Sequence, residues 1–443
     1  MVYDFFIIGG GSGGVRAARY ASSLGYKVAL AEAYDLGGTC VNRGCIPKKL
    51  YSYASSFHDE INIMKSFGYT VSTPKFSWMK LVKAKKKELK RLNNIYEKLL
   101  SESNVKLFKG YASIFDKDKV SVGNKILSAK KIIIAVGTTP KKIQFECSKS
   151  IITSDDVFDL QVLPKNILIL GGGYIAIELA SIFNGLGVNT SISLRGNSIL
   201  NGFDKEVTSF LENQMKLKGV KIINKNFPEK ITRNKDYFNV IYKNNCKNKY
   251  DLVLEAVGRV PNLEKLNLHK IGIKQNDRGF IKVDKMFRTN VKNIFAVGDI
   301  IDKVQLTPVA IAEAVWLIDN HNKKNFKNFD YKNIPTAVFS NPNFASIGLS
   351  ENDAKKKKIS YKVFRSEFRP LKHSLSKSKE KVFIKIIINS INQKILGIHY
   401  VGENAAEIIQ GFSVAVVNGL TKHQLDKTIG IHPTSAEELV TMK

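Results

Sequence analysis

The sequence predicts an α/β fold with two Rossmann-like dinucleotide-binding domains and a C-terminal α+β domain. Three observations carry this prediction. The apolar run Phe5-Phe6-Ile7-Ile8 closes on Gly9, Gly11 and Gly14, and the helical pattern behind it leads to a second apolar run ending in Glu32. The same order recurs from Ile167-Leu168-Ile169-Leu170, with Gly171, Gly173 and Ala176 spaced as G-x-G-x-x-A. Beyond Tyr331, strand and helix patterns continue without a glycine fingerprint. The expected domains are 1–141, 142–263, a return of the chain to the first domain over 264–330, and 331–443.

Composition narrows the class. A chain of 443 residues holds two to four domains, because a single core stops growing at roughly 250 to 300 residues. No stretch approaches the roughly 20 apolar residues of a membrane span. The opening Met1-Val2-Tyr3-Asp4 runs straight into the first strand, so no signal or transit peptide is expected. With only four cysteines, the reading is a reducing, cytoplasmic compartment. The formal charge of +30 raises the alternative of a nucleic-acid- or membrane-binding protein. However, the runs Lys83-Ala84-Lys85-Lys86-Lys87 and Lys355-Lys356-Lys357-Lys358 lack the interleaved aromatics of a single-strand platform. Neither nucleic acid nor membrane is therefore expected as a partner, and the lysines are read as solvated surface whose field favours anions.

In the first domain the glycines let the backbone approach a pyrophosphate, which the N-terminus of a helix over Val15–Leu24 then stabilises. Glu32, twenty-one residues past Gly11, can accept hydrogen bonds from a ribose. Next comes Gly37-Gly38-Thr39-Cys40-Val41-Asn42-Arg43-Gly44-Cys45-Ile46-Pro47-Lys48-Lys49. Two cysteines at this spacing could be half of a zinc site, but no second Cys/His pair follows at motif spacing. A structural disulfide is unusual in a chain so poor in cysteine. A redox dithiol beside cations that favour the thiolate is the leading reading. A helix over 45–53, a basic helix over 75–100 that includes Arg91 to Tyr96, and a strand at Lys131–Ala135 complete this part.

The second copy differs where it matters. Its second strand ends in Ser193-Leu194-Arg195, with no acid at the position of Glu32, and arginine suits a ribose carrying a 2′-phosphate. After Glu255-Ala256-Val257-Gly258-Arg259, the strand Asn293-Ile294-Phe295-Ala296-Val297-Gly298-Asp299 brings an aspartate to a strand end, where it can face a flavin cofactor. The chain closes with His432-Pro433 and Glu437, and Cys147 and Cys246 are read as ordinary thiols.

Together these motifs resemble the pyridine nucleotide–disulfide oxidoreductases and, within them, the glutathione reductases of the plant and bacterial branch. Gly13 to Arg19 and Phe368-Arg369-Pro370-Leu371 carry the branch resemblance. The resemblance spans essentially the whole chain and implies FAD and NADPH as cofactors, glutathione disulfide as substrate, and a homodimer held by the C-terminal α+β dimerisation domain. For FAD it implies Gly9, Gly11, Ser12, Gly13, Gly14, Glu32, Gly38, Thr39, Cys40, Lys48, Gly137, Asp299 and Thr307. For NADPH it implies Gly171, Gly173, Tyr174, Ile175, Ala176, Glu178, Arg195, Gly258 and Arg259, with Tyr174 covering the flavin until nicotinamide displaces it. It implies a Cys40–Cys45 redox disulfide, with Cys45 toward the flavin and Cys40 toward the substrate. Ser12, Arg19 and Tyr96 would touch the substrate. His432, oriented by Glu437 and acting across the dimer interface, would handle protons, and Lys48 would pair with Glu178 near the flavin. The alternatives are packing for Tyr174, a surface role for Lys48, and a helix-capping or packed role for His432. No metal is expected.

Relatives in the family are separable by residue. Dihydrolipoamide dehydrogenases carry an acid at the position of Arg195. Large thioredoxin reductases and mercuric reductases have C-terminal cysteines, whereas Cys246 is the last here. Trypanothione reductases, or reductases of glutathione amide, remain the nearest alternatives. Two departures from the family pattern are Val315, which leaves a carboxylate contact to the substrate unassigned, and Asn201, where a second arginine is usual. Losing one charge-assisted contact costs about 1.5 to 3 kcal/mol, or about ten- to a hundredfold in affinity. NADPH preference with reduced discrimination against NADH is therefore expected. Steady-state rates at low cofactor concentration check it, and equal efficiency with NADH would defeat the Arg195 assignment.

Overall fold

The computed structural model describes residues 1–72 and 74–443, which fall into two compact units. The first comprises Met1–Pro47, Met79–Lys141 and Gly258–Tyr331. Its sheet has the order Lys106–Lys109, Val28–Glu32, Val2–Ile8, Lys125–Ile134, Lys119–Val122, Ala112–Asp116, and Ile294–Ala296 also pairs with Lys125–Ile134. Val2–Ile8 lies between two parallel neighbours, so its apolar run is buried on both faces. Helices α1 (Ser12–Ser23) and α7 (Thr307–Asn320) pack together in this unit.

Helix α1 starts three residues before the expected Val15. Gly11 caps it, so Gly13 and Gly14 belong to its first turn rather than to a preceding loop. Helix α2 (Gly38–Arg43) carries Cys40, and α3 (Cys45–Ser66) starts on Cys45 and runs well past the expected Tyr53. Gly44 separates the two helices. The basic helix is α4 (Trp78–Glu102), close to its expected span.

The second unit comprises Lys48–Trp78, Lys142–Val257 and Lys332–Lys443. One part is a parallel five-stranded sheet in the order Lys221–Ile223, Asn189–Ser193, Asn166–Leu170, Leu252–Glu255, Ile152–Thr153. Helices α5 (Tyr174–Gly185) and α6 (Lys205–Leu217) accompany it, together with an antiparallel ribbon over Pro228–Tyr250. The C-terminal part is an antiparallel sheet in the order Thr336–Val338, Phe344–Gly348, Ile395–Val401, Val382–Asn389, Tyr361–Phe368, with the helix Ala405–Val417 against it.

Buried charge organises this unit. Lys385 is fully buried and its Nζ lies 2.8, 2.7 and 2.6 Å from carboxylate oxygens of Asp204, Glu206 and Glu351. Asp204 also caps α6 by accepting from the Glu206 and Val207 amides. A second cluster anchors α3: Lys218 bridges Asp59 at 2.9 Å and Glu380 at 2.8 Å. Burial alone would raise the Glu380 carboxyl, but His373 and Lys218 hold it down at about 2. A carboxyl lowered on folding stabilises the protein above its unfolded value of about 4.5 and loses that contribution as pH falls toward about 2. The contribution at neutral pH is about 3 kcal/mol. Glu380→Gln should therefore flatten the acid limb of stability, measured as urea midpoints between about pH 5 and pH 3. Equal pH slopes in the variant and the parent would exclude this role.

Candidate active site

In the first unit the glycine turn is built on backbone contact. Gly9 has φ +105°, and a Cβ there would sit 2.5 Å from the Ala135 carbonyl oxygen. A Cβ on Gly14 would sit 1.9 Å from the Gly9 oxygen, so a side chain at this position would force the turn open. Gly38 approaches just as closely, its Cβ position being 2.8 Å from the Cα of Gly11, and that of Gly13 is 3.3 Å from the Ala310 oxygen on α7. Glu32 receives the Gly10 amide at 2.6 Å and the Tyr34 amide at 2.8 Å. The turn around Gly11 and Ser12, the Gly38-Thr39 step and the start of α7 thus meet at one place.

Cys40 and Cys45 form a close pair beside it, and Cys45 Sγ lies 4.0 Å from Thr307 Oγ1. The disulfide expected between them is not seen. Asn42 and Asn93 hold the segment in shape. Asn42 donates to the Gly38 and Leu36 oxygens at 3.1 and 3.0 Å, and Asn93 donates from α4 to Leu36 and Asn42 at 2.8 and 2.9 Å. On the Cys40 side stands half-buried Tyr96, whose phenol is raised by burial and by the charge of Cys40 while Arg19 opposes. Arg19 Nε donates to Ser103 Oγ at 3.3 Å.

Asp299 follows Gly298, whose amide donates at 2.7 Å to buried Glu313; Tyr331 donates to the other oxygen of Glu313 at 2.6 Å. Burial pushes the Asp299 carboxyl up, with Arg259 opposing. Arg259 lies in the first unit, donating to the hydroxyl and carbonyl of Thr138 at 2.8 and 2.7 Å. Gly137, at φ +65°, precedes that threonine, and the strand Arg259–Pro261 pairs with Thr138–Pro140.

In the second unit Lys48 Nζ and Glu178 Oε1 are 2.8 Å apart and both side chains are buried. The same oxygen accepts the Phe339 amide at 2.9 Å, and the ammonium groups of Lys48 and Lys49 each lie 3.9 Å from the centre of the Phe339 ring. Gly171, at φ +124°, repeats the first turn: a Cβ would meet the Ala256 oxygen at 2.3 Å. Gly173 caps α5, where Tyr174 is exposed, Ile175 half-buried and Ala176 fully buried. The exposed Arg195 guanidinium lies 4.6 Å over the Phe227 ring. His432 has 82% of its side chain exposed, with Nδ1 at 3.1 Å from both Glu437 oxygens. Thr434 donates its amide to Glu437 and receives Glu437's in return.

Residues 3–314 match the family model for pyridine nucleotide-disulphide oxidoreductases, and residues 334–443 match that family's dimerisation domain. The chain belongs to the pyridine nucleotide-disulphide oxidoreductases. Within this family it is similar to curated glutathione reductases along its whole length. It is 42% identical to that of Burkholderia cepacia, covering all of this chain and 98% of the relative. It is 39% identical to that of Nostoc sp. over 99% of the relative, and 41% identical to the chloroplastic/mitochondrial enzyme of Pisum sativum over 82%.

Membership in the pyridine nucleotide-disulphide oxidoreductases brings FAD and NADPH as cofactors. The first glycine turn fits FAD, because its side-chain-free backbone stands at the N-terminus of α1. The Asp299 carboxylate, without a hydrogen-bond partner among the described residues, fits an acceptor for a cofactor hydroxyl. The second turn, with the Arg195 fork fixed on an aromatic face, fits NADPH. Among the described residues no three His, Cys, Asp or Glu side chains gather as metal ligands would, and no helix is long and apolar enough to cross a membrane. The sequence reading missed Phe339, Glu313 and the Asn42–Asn93 clasp. Phe339 reaches Glu178 from 161 residues away, a separation that leaves no local signal. Removing one partner of a buried ion pair costs about 3 to 5 kcal/mol. Glu178→Leu should therefore lower thermal stability by that order, and adding Lys48→Met should recover most of it. A double variant no more stable than Glu178→Leu would mean the pair is uncoupled.

Proposed function

We propose that the protein is an NADPH-dependent glutathione-disulfide reductase, working as a cytoplasmic homodimer with the domain limits read from the sequence. The observation that carries the reading is the Cys40–Cys45 pair beside the first glycine turn, with Tyr96 and Arg19 on its Cys40 side. Full-length similarity to several glutathione reductases supports the same substrate. The dimerisation-domain match and the exposed Ile429, Ile431, Val414 and Val417 support assembly into a dimer.

FAD, when bound, relays two electrons from NADPH to the cysteine pair. The chain's own residues do the rest. Cys40, as thiolate, attacks one sulfur of glutathione disulfide; a Cys40–glutathione mixed disulfide forms and the first glutathione leaves as thiolate. His432 of the partner subunit, held by its Glu437, protonates that leaving thiolate. Cys45, also as thiolate, then attacks the Cys40 sulfur, closing the Cys40–Cys45 disulfide and releasing the second glutathione. Arg19 and the overall positive field favour the anionic substrate. Lys48, paired with Glu178, supplies a fixed cation. Tyr96 remains a neutral phenol, able to donate or accept one hydrogen bond.

A panel of disulfides tests the reading. The NADPH-dependent rate should be highest with glutathione disulfide and fall by at least about a hundredfold in Cys40→Ser and Cys45→Ser. His432→Gln should cost about 10²- to 10⁴-fold, the range of a general acid–base group. Turnover of another low-molecular-weight disulfide without turnover of glutathione disulfide would replace the proposed substrate.

A further inference from the structure

Arg195 is the lone cation that the end of its own strand offers to a ribose 2′-phosphate, because Asn201 is neutral and accepts at 3.1 Å from Ser198. The fold brings a second cation to the same turn. Strand Lys221–Ile223 runs parallel to Asn189–Ser193, with Ile223 opposite Ser193. The pairing continues past both strand ends: the Leu194 amide donates to Ile223 and the Lys225 amide donates to Gly196, each at 2.9 Å. Lys225 is thereby tied to the residue immediately after Arg195. Phe227, two residues further on, is the ring beneath the Arg195 guanidinium.

Lys225 shares two properties with the exposed Lys358 and differs from it in standing beside Arg195. Its φ is +54°, a region where glycine or asparagine is the easier choice. Its exposed ammonium, like that of Lys221, has no carboxylate partner among the described residues, while Lys216, Lys218 and Lys230 are paired. A residue type that the backbone disfavours, left with an uncommitted charge beside Arg195, points to a function for that charge.

We propose that Lys225 is the second cationic ligand of the NADPH ribose 2′-phosphate, supplying the charge that Asn201 does not. The inference rests on the reading of the Gly171–Ala176 turn as the NADPH site. Arg195 contributes a planar fork whose orientation Phe227 fixes, and Lys225 contributes a mobile point charge. Together they favour a dianion over a hydroxyl and restore part of the discrimination that a neutral Asn201 gives up.

Calorimetric titration of the FAD-loaded protein with 2′,5′-ADP, NADP⁺ and NAD⁺ tests the proposal. Lys225→Asn removes the charge while suiting the left-handed backbone, so folding is not at risk. It should weaken 2′,5′-ADP and NADP⁺ by about tenfold or more and leave NAD⁺ affinity as it was. Lys225→Arg should retain the affinity of the parent. Unchanged 2′,5′-ADP binding in Lys225→Asn, with a clear loss in Arg195→Gln, would overturn the role of Lys225 and leave the NADPH reading intact. Equal affinity of the parent protein for NAD⁺ and NADP⁺ would overturn both.

Discussion

Contact of backbone on backbone is the constraint from which the rest of this protein follows. At Gly14 the space that a Cβ would take is already filled by the carbonyl of Gly9, and at Gly171 by that of Ala256. Side chains are excluded at these points, so strand end, turn and helix start are drawn together and the first amides of α1 and α5 are left for a ligand. The two copies are not equal. Ala176 is fully buried where the first copy has Gly14, so the second turn accommodates one methyl group that the first cannot. Around the first turn a further glycine approach, Gly38 on Gly11, brings the cysteine-bearing segment in.

Charge is handled in two ways. The chain carries a formal charge of +30, while several buried charged groups are paired or hydrogen-bonded. Lys385 sits among three carboxylates, Lys48 faces Glu178, and Glu313 receives an amide and a phenol. Leaving any of these three buried charges unpartnered would cost several kcal/mol. These pairs also have positions to hold. Asp204 caps α6 directly after the turn that carries Arg195, and Lys385 holds Asp204 in place. Glu313 fixes the Gly298 amide beside Asp299.

Much of the fold was legible because its signals are local. Unbroken apolar runs such as Phe5–Ile8 and Ile167–Leu170 are parallel strands buried on both faces, and glycine spacing announces the turns between strand and helix. Helix ends were less legible: Gly13 and Gly14 read as loop yet lie in the first turn of α1, and α3 continues thirteen residues past Tyr53 to Ser66. Tertiary packing, not propensity, carries those residues. Of the site, the residues inside motifs could be named, because their spacing is the motif. Phe339, Glu313 and Asn93 could not, since each reaches its partner through the fold rather than along the chain.

The exposure of His432 has a genetic consequence. Among the described residues Glu437 is the hydrogen-bond partner of the imidazole, and Ile429 and Ile431 beside it are 92% and 77% exposed. Under the proposed function each site combines cysteines from one copy with a histidine from the other. A copy lacking Cys40 and a copy lacking His432 would then, when paired, form one intact site and one doubly defective site. Two inactive alleles could rescue one another in trans, something two alleles damaged at the same residue could never do.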